Sequence, residues 1–318
     1  MNISVIGCGR WGSFIAWYLD SIGHTVKLYG PADTPHMIQF TNTRTNGLIT
    51  LGESIQLVYN IQDIADAEVI VISVPSQALR GLIGELREAG ITDKNYVLCM
   101  KGIEIETGMR LSEIAGEGFG KDHVAVWIGP GHVQEFYRGI PNCMVIDSAN
   151  EELKYKLVDS FSSKLIRFYY GNDLIGNEVG AAAKNVIGIA AGMLDGLGLS
   201  SLKGALMARG AREVARLIKA MGGNELSAYG LCHLGDYEAT VFSKFSHNRQ
   251  FGESYVKGES YTDLAEGYYT AKAMIGLGKR YAVDLPITQA VYTVLYEGKD
   301  TAETLQALFD RQLKEEFI

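Results

Sequence analysis

This chain of 318 residues contains few cysteines and histidines, and neither type is clustered. Its four cysteines, Cys8, Cys99, Cys143 and Cys232, include no C-x-x-C pair, so we expect buried free thiols in a reducing compartment rather than disulfides. The six histidines are equally dispersed, and this argues against a metal site.

Net positive charge and long apolar runs are also missing. The net charge of -8 argues against a general binder of nucleic acid or of anionic membranes. No apolar run approaches the ~18 residues that a spanning helix needs, and no signal peptide precedes the first strand pattern. We therefore expect a cytoplasmic protein without stable membrane insertion, of a length that suggests about two domains.

The first motif that indicates chemistry follows a strand pattern over residues 1–6. It reads G-x-G-x-x-G, with glycines at Gly7, Gly9 and Gly12, and it leads directly into a helix pattern. The first glycine permits a tight turn, the second lets the backbone approach a pyrophosphate, and the third lets helix and strand pack closely. The setting predicts a dinucleotide site, with a plain glycine turn as the alternative.

The end of the second strand pattern does not identify the dinucleotide. An acid that holds the adenosine ribose usually stands there, but this chain has Tyr29, Gly30 and Pro31. Neither an acid nor an arginine occupies these positions, so NAD and NADP both remain open. Arg10 and Arg44 are candidate cations near the adenosine, and solvated surface arginines are the alternative.

Alternating strand and helix patterns predict an α/β N-terminal domain with a mostly parallel sheet over residues 1–172. After Gly171 only long helical patterns follow, and they predict an all-α domain over residues 173–318. The predicted strands cover 1–6, 26–29, 69–74, 96–100, 124–128, 143–146 and 165–170. The predicted helices of the second half cover 177–194, 202–221, 263–277, 287–296 and 301–314.

The helix predicted over residues 177–194 contains one cation, Lys184. Gly180, Lys184, Gly188 and Gly192 are spaced by four and form one stripe. Each interior glycine weakens a helix by roughly 1 kcal/mol, so the stripe suggests a close approach to the backbone. A lysine there is partly desolvated, which lowers its pKa and suits acid/base chemistry. The alternative is a lysine whose stem covers apolar surface while its amine reaches water.

Three other places are candidates for ligand contacts. Lys101 follows a strand at the carboxyl edge of the sheet, where α/β proteins bind ligands, or else it is an exposed loop lysine. Asp236 is a candidate partner for Lys184, or else a helix N-cap. The polar stretch 246–249 reads as a loop, ends at Gly252 and suits a phosphate, with a solvated loop as the alternative.

Together these motifs resemble the NAD(P)-dependent glycerol-3-phosphate dehydrogenase family nearly end to end. The most specific element is Lys184 followed at once by Asn185, because related hydroxyacid dehydrogenases usually separate the two by several residues. The other matching motifs are Gly-Cys-Gly-Arg-Trp-Gly at 7, Val-Pro-Ser-Gln at 74, Lys-Gly at 101, Gly-Pro at 129, Gly-Asp at 235, Ala-Glu-Gly at 265 and Leu-Pro-Ile at 285.

The resemblance implies a Rossmann domain and an all-helical domain of the 6-phosphogluconate-dehydrogenase-like type, paired as a homodimer. It implies interconversion of dihydroxyacetone phosphate and sn-glycerol 3-phosphate with NADH or NADPH and no metal, supplying glycerol phosphate for phospholipid synthesis. Lys184 is then the acid/base, and Asp236 is the carboxylate beside it. The implied substrate contacts are Lys101, Gly129, Asn185, Thr240, Ser246, His247, Asn248 and Arg249. The implied cofactor contacts are Gly7, Gly9, Arg10, Trp11, Gly12, Pro75, Lys101, Val133, His247 and Glu266.

The chain departs from the family pattern in three places. His247 stands where the family has an arginine before Asn248, and histidine is shorter and only partly charged at neutral pH, so Arg249 is a candidate replacement. Gly131 stands where the family has a serine or threonine, and the arginine usually found past the second strand is missing. These departures bear on phosphate affinity and NADP preference more than on reaction type.

Two other functions stay open on the sequence. One is a dehydrogenase of the same build acting on a different hydroxy acid, and His247 and Gly131 favour it. The other is a non-catalytic dinucleotide sensor. The intact set of Lys184, Asn185, Asp236 and Thr240 argues against the sensor, because a sensor has no need of a positioned acid.

Overall fold

The computed structural model describes residues 1–313 and 315–316, and its first half is built on one eight-stranded sheet. The strand order is β3-β2-β1-β4-β5-β6-β7-β8, and all neighbours pair in parallel except β6 with β7. The strands are β1 (Asn2–Ile6), β2 (Thr25–Tyr29), β3 (Gln56–Val58), β4 (Val69–Ile72), β5 (Asn95–Leu98), β6 (Val124–Ile128), β7 (Asn142–Ser148) and β8 (Ile166–Tyr170). The mostly parallel sheet is confirmed, and only the three-residue β3 was not predicted.

Helices cover both faces of this sheet and bury it in two apolar layers. One layer contains Phe14 and Trp127, and the other contains Ile70 and Tyr96. The helices are α1 (Arg10–Ser21), α2 (Pro35–Thr43), α3 (Leu79–Glu88), α4 (Leu111–Phe119), α5 (Val133–Tyr137) and α6 (Glu151–Phe161). The order of the strands reverses between β1 and β4, so a crevice opens at their carboxyl ends, where the glycine motif lies.

The second half of the described chain is helical, as predicted. Its helices are α7 (Leu174–Gly196), α8 (Lys203–Ala220), α9 (His247–Lys257), α10 (Glu266–Arg280), α11 (Pro286–Glu297) and α12 (Thr301–Phe309), with a short π-helix at Glu238–Phe242. The helix predicted over 301–314 thus ends at Phe309, and Lys314 lies outside the described residues. Among the described residues, no helix combines the length and the apolar character that crossing a bilayer requires. The domain division after residue 172 stays a prediction.

The glycine stripe of α7 is where two other elements reach its backbone. An added Cβ at Gly192 would lie 1.9 Å from the carbonyl oxygen of Arg249, and one at Gly188 would lie 2.7 Å from the methyl carbon of Thr240. In return, a Cβ at Gly252 would lie 2.1 Å from the carbonyl oxygen of Ile189. The expected close approach is confirmed. The loop predicted over 246–252 is wrong, because these residues cap and begin α9, which packs against the stripe.

Buried carboxylates join the helical half to the sheet half. Glu178 of α7, 6% exposed, accepts hydrogen bonds from Arg110 at 2.6 Å, the Ser112 amide at 2.9 Å and the Ser112 hydroxyl at 2.5 Å. Glu266, the first residue of α10, accepts from the Ser76 amide at 2.9 Å and the Ser76 hydroxyl at 2.6 Å. These bonds fix α7 and α10 against the carboxyl edge of the sheet, which places the cleft between the two halves.

Candidate active site

The glycine turn between β1 and α1 has the geometry that a dinucleotide requires. Gly7 has φ +107°, and an added Cβ there would lie 2.1 Å from the carbonyl oxygen of Ser73. A Cβ at Gly12 would lie 1.9 Å from the carbonyl oxygen of Gly7, whereas no described atom lies within 4 Å of one at Gly9. Two glycines therefore permit close packing, and the third leaves open space above the amino end of α1, where backbone N–H groups suit a pyrophosphate.

Lys184 lies on the buried side of α7 rather than in water. Its residue exposure is 9%, and its amine donates to the Thr240 hydroxyl at 2.8 Å. Its Nζ is also 3.0 Å from Oδ2 of Asp236, a carboxylate that is 1% exposed. The alternative of an amine that reaches solvent is therefore excluded, and Asp236 is a buried ion-pair partner.

Burial lowers the pKa of Lys184 to about 8, because desolvation disfavours the ammonium. The negative charge of Asp236 acts in the opposite direction, and the positive charge of Lys101 adds to the lowering. A lysine in this range is protonated at neutral pH and yet releases its proton readily, as an acid/base group must.

Lys101 completes the charged cluster from the sheet side of the cleft. Its amine donates to Oδ2 of Asp236 at 2.6 Å and to the carbonyl oxygen of Gly129 at 2.7 Å. The side chain of Lys101 is 19% exposed, so the alternative of a free loop lysine is excluded. Oδ2 of Asp236 thus forms ion pairs with both Lys101 and Lys184, and these two lysines from different halves of the chain lie together at the cleft.

A chain of amide groups extends from this cluster toward α9 and α10. Asn185 donates to the carbonyl oxygen of Lys101 at 3.4 Å and accepts from the Asn248 amide at 3.0 Å. Asn248 in turn accepts from the Gly267 amide at 2.8 Å. Ser246 is the N-cap of α9, and its hydroxyl oxygen accepts from the Arg249 amide at 3.3 Å. Asn185 and Asn248 are therefore held in fixed orientations, whereas Ser246 already serves as a helix cap.

Arg10 and His247 meet across the cleft. The guanidinium of Arg10, from the glycine turn, contacts Nε2 of His247, and the Tyr261 hydroxyl lies 2.7 Å from Nδ1 of the same ring. Burial and the charge of Arg10 lower the pKa of His247, and Asp263 opposes this. His247 is therefore neutral at neutral pH, and Arg10 supplies the positive charge at this position.

The two other arginines considered from the sequence have different partners. Arg249 pairs with Glu253 at 2.7 Å and with Asp195 at 3.3 Å, and Asp195 lies about 16 Å along α7 from Lys184. Arg44 donates to the carbonyl oxygens of Gly52 and Ile55. Both guanidinium groups therefore stabilise the segments around them through contacts within the protein.

The remaining predicted cofactor contacts lie in or beside segments that follow the carboxyl ends of β1, β4 and β6. Trp11 lies in the first turn of α1 and packs on Phe14, with ring centroids 5.2 Å apart. Val133 is buried at the start of α5. Pro75 is exposed in the loop after β4, next to the Ser76 that binds Glu266. Burial raises the pKa of Glu266, and its bonds to Ser76 oppose this.

His132 is a polar residue of this cleft that the sequence reasoning missed. It precedes α5, and its ring lies edge-on to Phe245 with centroids 5.7 Å apart. The only available signal was its position directly after the Gly129–Gly131 loop, because an isolated histidine carries no spacing pattern. Among the described residues there is also no group of three or more His, Cys, Asp or Glu side chains that could hold a metal ion.

Fold and cleft together define a two-domain, dinucleotide-dependent oxidoreductase. The chain matches the model described as the N-terminus of NAD-dependent glycerol-3-phosphate dehydrogenase over residues 2–154, and the model of its C-terminus over residues 173–306. The chain belongs to the NAD-dependent glycerol-3-phosphate dehydrogenase family. The resemblance drawn from the motifs is confirmed, and with it the prediction of NAD or NADP as cofactor.

Individual relatives and solved structures agree over the whole chain. The glycerol-3-phosphate dehydrogenases [NAD(P)+] of Chlorobium phaeobacteroides strain BS1 and Thermoanaerobacter sp. strain X514 are 36% and 34% identical, and each match covers 99% of both chains. The crystal structure of glycerol-3-phosphate dehydrogenase from Coxiella burnetii is 26% identical, covers 98% of this chain and 99% of its own, and has a TM-score of 0.91. D-Mandelate dehydrogenase with NADH shares the fold at a TM-score of 0.65 and 14% identity. The predicted fold class is confirmed.

Proposed function

We propose that this protein interconverts dihydroxyacetone phosphate and sn-glycerol 3-phosphate with NADH or NADPH. The observation that carries the proposal is the buried Lys184, which shares Asp236 with Lys101 beside the crevice of the dinucleotide turn. An amine held there is positioned to exchange a proton with a substrate oxygen at the reacting carbon.

Gly7, Gly9 and Gly12 would hold NADH or NADPH, which would supply the hydride for the carbonyl carbon. The chain supplies the proton: the Lys184 ammonium donates to the oxygen that becomes negative as the carbonyl is reduced. Thr240 and Asp236 fix the direction of the amine through contacts of 2.8 Å and 3.0 Å. In the reverse reaction, neutral Lys184 removes the proton from the alcohol.

The substrate phosphate needs cations and amide donors, and the cleft offers both. Lys101 and Arg10 face it from the sheet half, and Asn248 faces it from α9. We assign the anion-binding role to these three residues, and we place Asn185 at the hydroxyl that forms on the reacting carbon. We do not assign it to Arg249, because Asp195 and Glu253 already neutralise its charge.

We extend the proposal to the setting of the enzyme. The net charge of -8 supports a cytoplasmic protein that does not bind nucleic acid, and the reaction would supply glycerol phosphate for phospholipid synthesis. A groove of about 670 Å³ lies between α7, α8, α11 and α12, and most of its lining residues are apolar. Such an apolar surface supports a homodimer. Sedimentation should then give twice the 34.8 kDa of one chain, and a monomer at micromolar concentration would contradict it.

The function is tested by following the oxidation of NADH and NADPH at 340 nm with dihydroxyacetone phosphate as substrate. Non-phosphorylated dihydroxyacetone and short 2-keto acids serve as comparison substrates. We expect the phosphorylated ketone to be preferred by orders of magnitude in kcat/KM. Preference for a 2-keto acid would instead support the related hydroxyacid dehydrogenase, and NADH binding without turnover would support a sensor.

A further inference from the structure

The loop after β6 has a shape that only glycine permits at residue 131. Gly131 has φ +146°, and an added Cβ would lie 2.2 Å from the buried ring of Phe136. Gly129 has φ +137°, and a Cβ there would lie 3.0 Å from the Cα of Met144. A residue with a side-chain hydroxyl therefore does not fit at position 131, and polar recognition from this loop has to come from a neighbouring residue.

That neighbour is His132, and it has an unused polar atom. Nε2 of His132 is buried, and no hydrogen-bond partner for it exists among the described residues. One face of the surrounding space is closed by Phe245, which holds the ring edge-on. A buried nitrogen without a partner is costly in a native protein, and at a ligand site the usual explanation is that the ligand supplies the partner.

The charges around His132 identify the place as the reacting end of the cleft. Burial, together with the positive charges of Lys184, Lys101 and Arg10, lowers the pKa of His132 to about 4 against the opposing effect of Asp236. The ring is therefore neutral at neutral pH, with one N–H donor and one lone pair. Such a group adds no charge for a phosphate, but it matches a hydroxyl, which also donates and accepts.

We infer that Nε2 of His132 binds the substrate hydroxyl next to the reacting carbonyl. His132 thereby makes the enzyme prefer 2-keto phosphates that carry this hydroxyl over those that lack it. The inference rests on the proposed function, in which Lys184 meets the carbonyl oxygen. In dihydroxyacetone phosphate the hydroxyl on the other side of that carbonyl from the phosphate is one carbon away. His132 and Lys184 would then recognise neighbouring oxygens of one molecule.

The test compares four combinations of protein and substrate, in which the His132 ring, the substrate hydroxyl, both or neither are removed. Wild-type protein and His132→Phe are assayed with dihydroxyacetone phosphate and with hydroxyacetone phosphate, which lacks only this hydroxyl. We expect the wild type to prefer dihydroxyacetone phosphate by roughly tenfold in kcat/KM, the effect of about one neutral hydrogen bond. His132→Phe should lose that preference through slower turnover of dihydroxyacetone phosphate alone, with unchanged NADH affinity. His132→Gln should retain part of it, because its amide can replace Nε2.

The exposed His123 provides the matched control, and His123→Phe should leave both substrates and the preference unchanged. An equal loss for both substrates in His132→Phe would show a structural role and overturn the inference, as would an unchanged preference. Failure of the wild type to reduce either ketone would contradict the proposed function itself. Turnover by the wild type with no effect of His132→Phe would contradict only the role of His132.

Discussion

Replacing Asp236 by asparagine removes one negative charge and keeps the size of the side chain. Oδ2 of Asp236 is 3.0 Å from Nζ of Lys184, and at an effective dielectric constant of ~20 this attraction is worth about 5.5 kcal/mol. The charge favours the ammonium form, so its loss should lower the pKa of Lys184 below its present value of about 8. Lys101, 2.6 Å from the same oxygen, would then face Lys184 without a carboxylate between them.

The size of the shift in the pH profile depends on how much of this attraction the protein loses in Asp236→Asn. If half of it, about 2.7 kcal/mol, is lost, the pH profile of ketone reduction should move down by about two pH units, at 1.36 kcal/mol per unit. At pH 7.5 the protonated fraction of Lys184 would then fall roughly 25-fold.

The assay for Asp236→Asn is kcat/KM for dihydroxyacetone phosphate reduction between pH 5 and pH 9. Lowering the pH should restore much of the lost rate, because it protonates Lys184 again. The thermal melting of the variant, followed by circular dichroism, controls for misfolding. A folded variant whose pH profile keeps the wild-type midpoint would refute the coupling of the two charges.

Three further outcomes follow from the same geometry. In the wild type, reduction needs protonated Lys184 and should decline as the pH rises through about 8, whereas alcohol oxidation should rise there; stopped-flow rates in both directions check this. Gly9→Ala should fold normally but bind NADH at least tenfold more weakly in a fluorescence titration, because its methyl group enters the open space above the turn. Gly12→Ala should fail to fold stably, because its Cβ would lie 1.9 Å from a backbone oxygen. Glu213→Ala should lower the free energy of unfolding in urea by about 3 kcal/mol, because this buried carboxylate accepts the Ile287 and Thr288 amides; the exposed Glu297→Ala is its control.

Local patterns were sufficient to predict most of the fold. The apolar runs of the long strands and the spacing of the predicted helices each lie within one stretch of chain, so their ends were placed within about three residues, apart from the end of α12. The start of α9 reads as a loop in the sequence, because its polar residues mask the helical pattern. The three-residue β3 offers too few positions for a periodic pattern. In α2, threonine and asparagine weaken the helical signal that Pro35 at its start provides. The reversed direction of β7 depends on packing against β6, which no local pattern encodes.

The parts of the candidate site that could be predicted are those with a recognisable motif within one segment of the chain. The glycine turn and the stripe around Lys184 are of this kind, and the structure brings Lys184 to Asp236 as that reasoning required. Contacts between distant segments were not visible. Arg10 meets His247 across 237 positions, and Lys101 meets Asp236 across 135. The preference of Arg249 for Asp195 and Glu253 likewise appears only once α9 lies on α7.

The central claim is that the buried amine of Lys184 is the proton donor for ketone reduction. The most direct measurement is a single turnover of Lys184→Ala with bound NADH and saturating dihydroxyacetone phosphate, followed by loss of absorbance at 340 nm. We expect NADH to bind with nearly wild-type affinity and its oxidation to slow by at least about three orders of magnitude. A folded Lys184→Ala that oxidises NADH at close to the wild-type rate would contradict the claim.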